Sequence, residues 1–263
     1  MIINWMKYRY LYIAFSLLII IPGLFSLIFY GLKLSIDFTG GSVLTLSDST
    51  IIRKKDMTQL QADEFVAKLN DENKSQLKLS SFETIGPAMG QETTRKTIWA
   101  VLLASLLLLI HISHAFKQLK FGVCAILAML HDSLVLLGIF SLLGHFLNIE
   151  VDLLFVTATL TVLSFSVHDT IVVYDRIREL QRHTSNLSMY EMANQAVSET
   201  MVRSLNNSLT IIFMLLALVL LGGDTTRYFA LALLIGTISG SYSSPFTAVP
   251  LLVIWDDLHH RRK

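Results

Sequence analysis

Residues 152–180 read DLLFVTATLTVLSFSVHDTIVVYDRIREL, an apolar run that carries His168 and Asp169 inside it and ends in the charged segment Asp175-Arg176-Ile177-Arg178-Glu179. The run is long enough to enter a bilayer. An ionisable side chain inside a span costs at least about 2.5 kcal/mol, so Asp169 is expected to face protein or water and to be functional, the alternative being a polar packing residue bonded to a neighbouring helix. Asp169, Val173 and Arg176 fall on one helical face, which lets Arg176 snorkel at the membrane edge and offer Asp169 a counter-charge about two turns away. Arg176 and Arg178 are equally accounted for by anchoring on the positive side of the membrane, and Asp175 to Arg178 is an ordinary helix-surface spacing.

Working outward, the 263 residues are 53% hydrophobic and only 16% charged, which marks a polytopic membrane protein. The single cysteine, Cys124, cannot close an internal disulfide and lies in an apolar run. No basic run interleaved with aromatics points to nucleic acid.

Residues 1–31 read as an N-terminus and a retained first helix, since Leu11 to Tyr30 is of span length and no small-x-small cleavage site follows it. Residues 32–96 have soluble composition and are expected to form a small α/β domain. Ser42 to Leu46 is read as one strand after the Gly40-Gly41 turn and Gln76 to Ser80 as a second. Between them lies a helix capped by Asp56 that presents Ala62, Phe65, Val66 and Leu69 on one face. Gly86-Pro87 and Gly90 mark a break. Spans are then expected at 97–113, 121–143, 152–174, 207–221 and 228–254, with a tail at 255–263, giving an all-α bundle of six transmembrane helices. Lys7 and Arg9, Lys117 and Lys120, the stretch with Arg176, Arg178, Arg182 and Arg203, and the tail Arg261 to Lys263 all fall on one side, which is expected to be cytoplasmic. The 32–96 domain then lies outside.

Asp132 falls near the middle of the third span, with Gly122, Ala125 and Ala128 on its face. Small residues beside a carboxylate let another helix approach while the acid faces the interface. A buried Asp able to take and release a proton meets the physical requirement for proton coupling. Ala232, Gly236, Gly240, Ser244 and Ala248 recur every fourth residue in the last span and read as a packing stripe, with Pro245 and Pro250 bending its inner half. His131-Asp132 and His168-Asp169 match no metal-ligand spacing, so no metal is expected. Two intramembrane aspartates also invite an aspartyl-protease reading, though Ser133 and Thr170 follow them rather than Gly. His111 and His114 read as interfacial.

SIDFTGGS (Ser35 to Ser42), TIGPAMGQE (Thr84 to Glu92), LHDS (Leu130 to Ser133), SFSVHDTIVVYDRIREL and FALALLIGTISGSYSS occur in this order. Together they resemble the SecF family of protein-export membrane subunits over nearly the whole chain. The resemblance implies a six-helix half-unit of the resistance-nodulation-division type with a periplasmic domain after the first helix. It implies SecD as partner in a bacterial inner membrane, acting with the SecYEG channel, YajC/YidC-type accessory proteins and translocating preproteins. The implied task is completion of export driven by the proton gradient, without enzymatic activity or cofactor. Asp37, Gly40, Gly41, Gly86, Pro87 and Gly90 match its motifs, and Asp132, Asp169, His168, Arg176 and Arg178 are its proton-coupling candidates, near the SecD interface. His168 stands where the family usually has Asn, Arg203-Ser204 where it has Arg-Thr, and Ser241 where it has Thr. Two alternatives are a small-molecule exporter half of the same superfamily and a purely structural subunit that stabilises SecD. No nucleotide-binding loop is present.

Overall fold

The computed structural model describes residues 3–48, 50–73, 77–183 and 187–260. After a 3₁₀ turn at Trp5–Tyr8, the chain forms α1 (Arg9–Phe29), α2 (Ile36–Thr39), β1 (Gly41–Leu46), β2 (Ile51–Lys54), α3 (Gln59–Asn73) and β3 (Leu79–Ile85). The helices α4 (Pro87–Phe116), α5 (Leu119–Leu147), α6 (Leu153–His183), α7 (Met189–Leu221) and α8 (Asp224–Ser243) follow. A π-helical turn at Ser244–Ala248 leads into α9 (Val249–His260). Among the described residues, six helical stretches are long and apolar enough to cross a membrane, α8 to α9 counting as one.

In the sheet domain the strand order is β2-β1-β3, all antiparallel, and Leu44 and Leu46 of β1 pack on Ala62 and Val66 of α3. The Ala62 face of α3 is as expected, whereas its cap is not. The amide of Thr58 donates to Gln61 Oε1 at 2.9 Å, and Asp56 instead accepts from the Thr84 hydroxyl at 2.8 Å. The second strand begins at Leu79, and Gln76, where it was expected to start, lies outside the described residues, as does the tail 261–263. Strand β2 pairs along one edge of β1, and its largely exposed Ile51-Ile52-Arg53-Lys54 offers little alternation to read.

The spans are longer than their apolar cores. Pro87 occupies the first turn of α4 with Gly86 as its cap, where proline's missing N–H costs nothing, so that helix begins ten residues before the apolar run. Ser188 and Glu191 close a capping box that starts α7 at Met189. Arg176, Arg178, Arg182 and Arg203 therefore sit on helices rather than in a loop.

Over their apolar windows α5, α6 and α8–α9 are 56%, 44% and 56% buried, against 17%, 6% and 11% for α1, α4 and α7, so the first three form the centre of the bundle. At one end of the bundle, Trp5 Nε1 donates to Ser198 at 3.0 Å, Met6 N to Asn194 at 2.8 Å, and Arg9 pairs with Asp257 at 3.0 Å. The two ends of the described chain are thus tied together, away from the sheet. Pro245 enters the π turn, and the hydroxyl of fully buried Tyr174 donates to the Ala248 carbonyl at 2.9 Å, bracing that turn against α6.

Candidate functional site

Where α6 and α8 cross, Gly236 lies so close to Val162 that a Cβ on the glycine would collide with the Val162 side chain, and a Cβ on Gly240 would stand 3.4 Å from Ser166. Ala232, Ser244 and Ala248 continue this buried stripe, as helix packing by small residues requires. Such proximity lets short hydroxyls bridge the helices. Gly122 of α5 abuts Ser113 of α4 in the same way, and Ala125 and Ala128 are fully packed against the core.

Asp132, on α5, has 0% exposure. Its Oδ2 accepts from Ser166 Oγ of α6 at 2.5 Å and from Ser243 Oγ of α8 at 2.6 Å. Its Oδ1 accepts from Ser239 Oγ at 2.6 Å and lies 3.0 Å from His131 Nδ1. Buried carboxylates survive when hydrogen-bonded, and here three helices supply the bonds. These four contacts of Asp132 all lie inside this chain. One turn along α6, Thr170 Oγ1 meets Ser244 Oγ at 3.0 Å.

Asp169 is 9% exposed and faces α7, where the Ser208 hydroxyl donates to its Oδ2 at 3.5 Å. A small polar cleft joins it to His168, Asn207, Thr237 and Ser241. His168 is exposed on the outside of the bundle.

Arg176 does share the Asp169 face of α6, but it spends its charge elsewhere. Its Nε meets Glu199 of α7 at 2.5 Å and its Nη1 meets Glu179 at 2.6 Å. The counter-charge role toward Asp169 is corrected accordingly, because Glu199 on the packed neighbour lies within direct reach. Arg178 pairs with Asp175 at 2.9 Å, donates to the Ala115 carbonyl at 2.8 Å and covers the Phe116 ring. Neither arginine joins Asp132 or Asp169.

Asp37 occupies a different place. Its Oδ2 accepts from the Leu153 amide at 3.0 Å, so a residue of α2 caps α6 from across space. Beside it Val151 forms a parallel bridge with Leu34, its amide donating to the Lys33 carbonyl at 2.8 Å. Gly40 has φ +70°, and a Cβ on Gly90 would come within 2.8 Å of Gly40 N and Phe38 O, so these two glycines let α2 dock on α4.

Sequence reasoning missed Ser166, Ser239, Ser243, Ser208 and Glu199, and weighed His131 only as a metal ligand. The i, i+4 pair Ser239 and Ser243 on an apolar helix was the available signal.

The sequence pattern described as protein export membrane protein SecD/SecF, C-terminal, matches residues 65–258, and that of the SecD/SecF GG motif matches residues 25–47. The chain belongs to the SecF family of protein-translocase subunits. Protein translocase subunit SecF of Thermobaculum terrenum is 42% identical over 97% of this chain and 94% of its own length. That of Anaerolinea thermophila is 37% identical over the same shares, 97% and 94%. The solved SecDF of Thermus thermophilus superposes with a TM-score of 0.84 at 32% identity, covering 97% of this chain and 39% of that one. SecDF in its super-membrane-facing form gives 0.80 at 28% identity, with 99% and 39% covered. The chain thus spans about two fifths of each SecDF chain. Within the SecF family, residues 25–47 that match the GG motif hold Asp37 and the Gly40-Gly41 hinge, and both aspartate sites fall within residues 65–258.

Proposed function

We propose that this chain is the SecF half of a two-subunit, non-enzymatic machine that uses the proton gradient to help exported polypeptides leave the membrane. It spans a bacterial inner membrane with both ends cytoplasmic and the sheet domain periplasmic, and it associates with SecD, the SecYEG channel, YajC/YidC-type proteins and the translocating preprotein. The observation that carries this reading is one turn of α6, which presents Ser166 to Asp132 and Asp169 to Ser208. Two carboxylates inside the apolar span are thereby linked through a single rigid helix, so a proton gained or lost at one side of α6 bears on the other. The exposed His168 beside Asp169 gives a polar edge that lipid solvates poorly, which fits a second six-helix subunit lying there.

A purely structural role is the second reading, and the saturated hydrogen bonding of Asp132 inside this chain favours it for that residue. The test is export of a preprotein by the reconstituted complex with and without a proton gradient, for wild type, Asp169→Asn and Asp132→Asn. Loss of the gradient-dependent part in an intact complex supports proton coupling, and full retention in both variants supports the structural role.

A further inference from the structure

We infer that His131, rather than Asp132, is the group of the central cluster that takes up the transported proton. The inference rests on the proton-driven reading above. A carboxylate offers about four lone-pair positions. Ser239 and His131 occupy Oδ1 of Asp132, and Ser166 and Ser243 occupy Oδ2. The weaker alternative acceptor of Ser243, the Gly240 carbonyl, is 3.4 Å away, so its hydroxyl is committed to Asp132. A proton can settle on Asp132 only by displacing one of these donors.

His131 has the opposite condition. Bonded to a carboxylate that already receives hydroxyl hydrogens, Nδ1 must be the protonated nitrogen of the neutral ring, which leaves the basic lone pair on Nε2. The side chain is only 6% exposed, and Nε2 is buried with no hydrogen-bond partner among the described residues. A buried polar atom left open in this way demands a role. The neighbouring Tyr242 ring lies 6.4 Å away, and its hydroxyl is committed to the Tyr12 carbonyl at 3.0 Å. Asp132 plays towards His131 the part an aspartate plays in a catalytic triad: it fixes the tautomer and stabilises the imidazolium without taking the proton itself. The step balances simply. Hydronium gives a proton to Nε2, an N–H bond forms, water leaves, and the pair goes from one negative charge to none; release reverses it.

The other titratable groups around this pair are sparse. Tyr12 comes from α1 and Tyr242 from α8, while Asp169 of α6 is turned towards Ser208 of α7. The helix α4, whose Ser113 meets Gly122 of α5, has no titratable residue between Lys96 and His111. The π turn has none, and Asp256 of α9 pairs with Lys120 at 3.0 Å.

His131→Asn is the discriminating variant, because the Asn amide N–H reproduces the Nδ1–H donor while removing the basic nitrogen. In the complex with SecD in proteoliposomes, gradient-stimulated export is expected to fall at least about tenfold, within the usual weight of a proton-transfer group. In the ¹⁵N-histidine spectrum of the same complex, the His131 ring should pass from singly to doubly protonated when the proton gradient is imposed, and that signal should be absent from the variant. Stimulation that survives His131→Asn but falls in Asp169→Asn overturns the inference and leaves the proposed function standing; survival in both removes the proposed function as well. Should His131→Asn fail to assemble, the wild-type spectrum decides, with His131 assigned through its bonded neighbour Asp132. A ring singly protonated throughout overturns the inference.

Discussion

Hydroxyl by hydroxyl, the Asp132 cluster exchanges solvation by water for solvation by serine, and its geometry sets what each deletion costs. A hydrogen bond to a charged group is worth about 1.5–3 kcal/mol. Ser239→Ala and Ser243→Ala are each expected to destabilise the folded chain by about that amount, seen as a lowered unfolding midpoint in detergent. Asp132→Leu, which deletes the acceptor of all three hydroxyls, should cost more than either. The contrast is Arg176, whose side chain is 30% exposed and whose partner Glu199 is 39% exposed. Exposed pairs contribute about 0–1 kcal/mol, so Arg176→Gln should leave the midpoint almost unmoved. An Arg176→Gln loss as large as the serine losses would show that this pair is buried in a larger assembly.

Helices meet here at glycine, and the crossing of α6 and α8 depends on it. Gly236→Leu is expected to push α8 off Val162 and to cost about 1–3 kcal/mol by overpacking, with the serine bridges to Asp132 broken in consequence. Retention of wild-type stability in that variant would contradict the packing described. At the far end of α6, Asp152 and Asp37 sit together. The Asp152 carboxyl is held above its ordinary value of 3.8, first by burial, against the lowering effect of its bond from the Phe155 amide, and further by the Asp37 charge. A raised acid binds its proton more tightly in the folded than in the unfolded chain. Asp152 therefore weakens this junction above its folded value, and the penalty is relieved as pH falls through that value. Asp152→Asn keeps the cap and removes the charge. Amide exchange at residues 34–37 and 151–155 should slow in that variant at neutral pH and lose its acid-side pH dependence; faster exchange would contradict the assignment. The six apolar runs, the stripe of small residues and the glycine hinge were all readable, since each is a property of composition or period within one segment. The early start of α7 was not, because its amphipathic first turns resemble a loop by hydropathy, although Ser188 and Glu191 carried the cap signal. The three serines around Asp132 were not readable either, for a pairing across 34, 107 or 111 positions is set by how helices cross, which periodicity does not encode.

For the molecule as a whole, the acids divide into one sealed within the bundle and one near its rim. Asp132 is satisfied by its own chain, whereas the Asp169 cleft opens beside exposed His168 and Phe165. A cysteine introduced at Phe165 should therefore crosslink to the SecD partner in native membranes, and a site there that labels freely with a lipid-soluble probe would contradict such a neighbour. The sheet domain is bound to the same helix through Asp37 at the Leu153 amide, which makes α6 the member joining that domain to both carboxylates. Asp169 is the proposed proton site of the assembled complex. Export by that complex, measured with and without an imposed proton gradient for wild type and Asp169→Asn, tests it most directly. The variant is expected to assemble normally and to export at the wild type's gradient-free rate whether or not the gradient is present; an undiminished response to the gradient would show that Asp169 carries no proton.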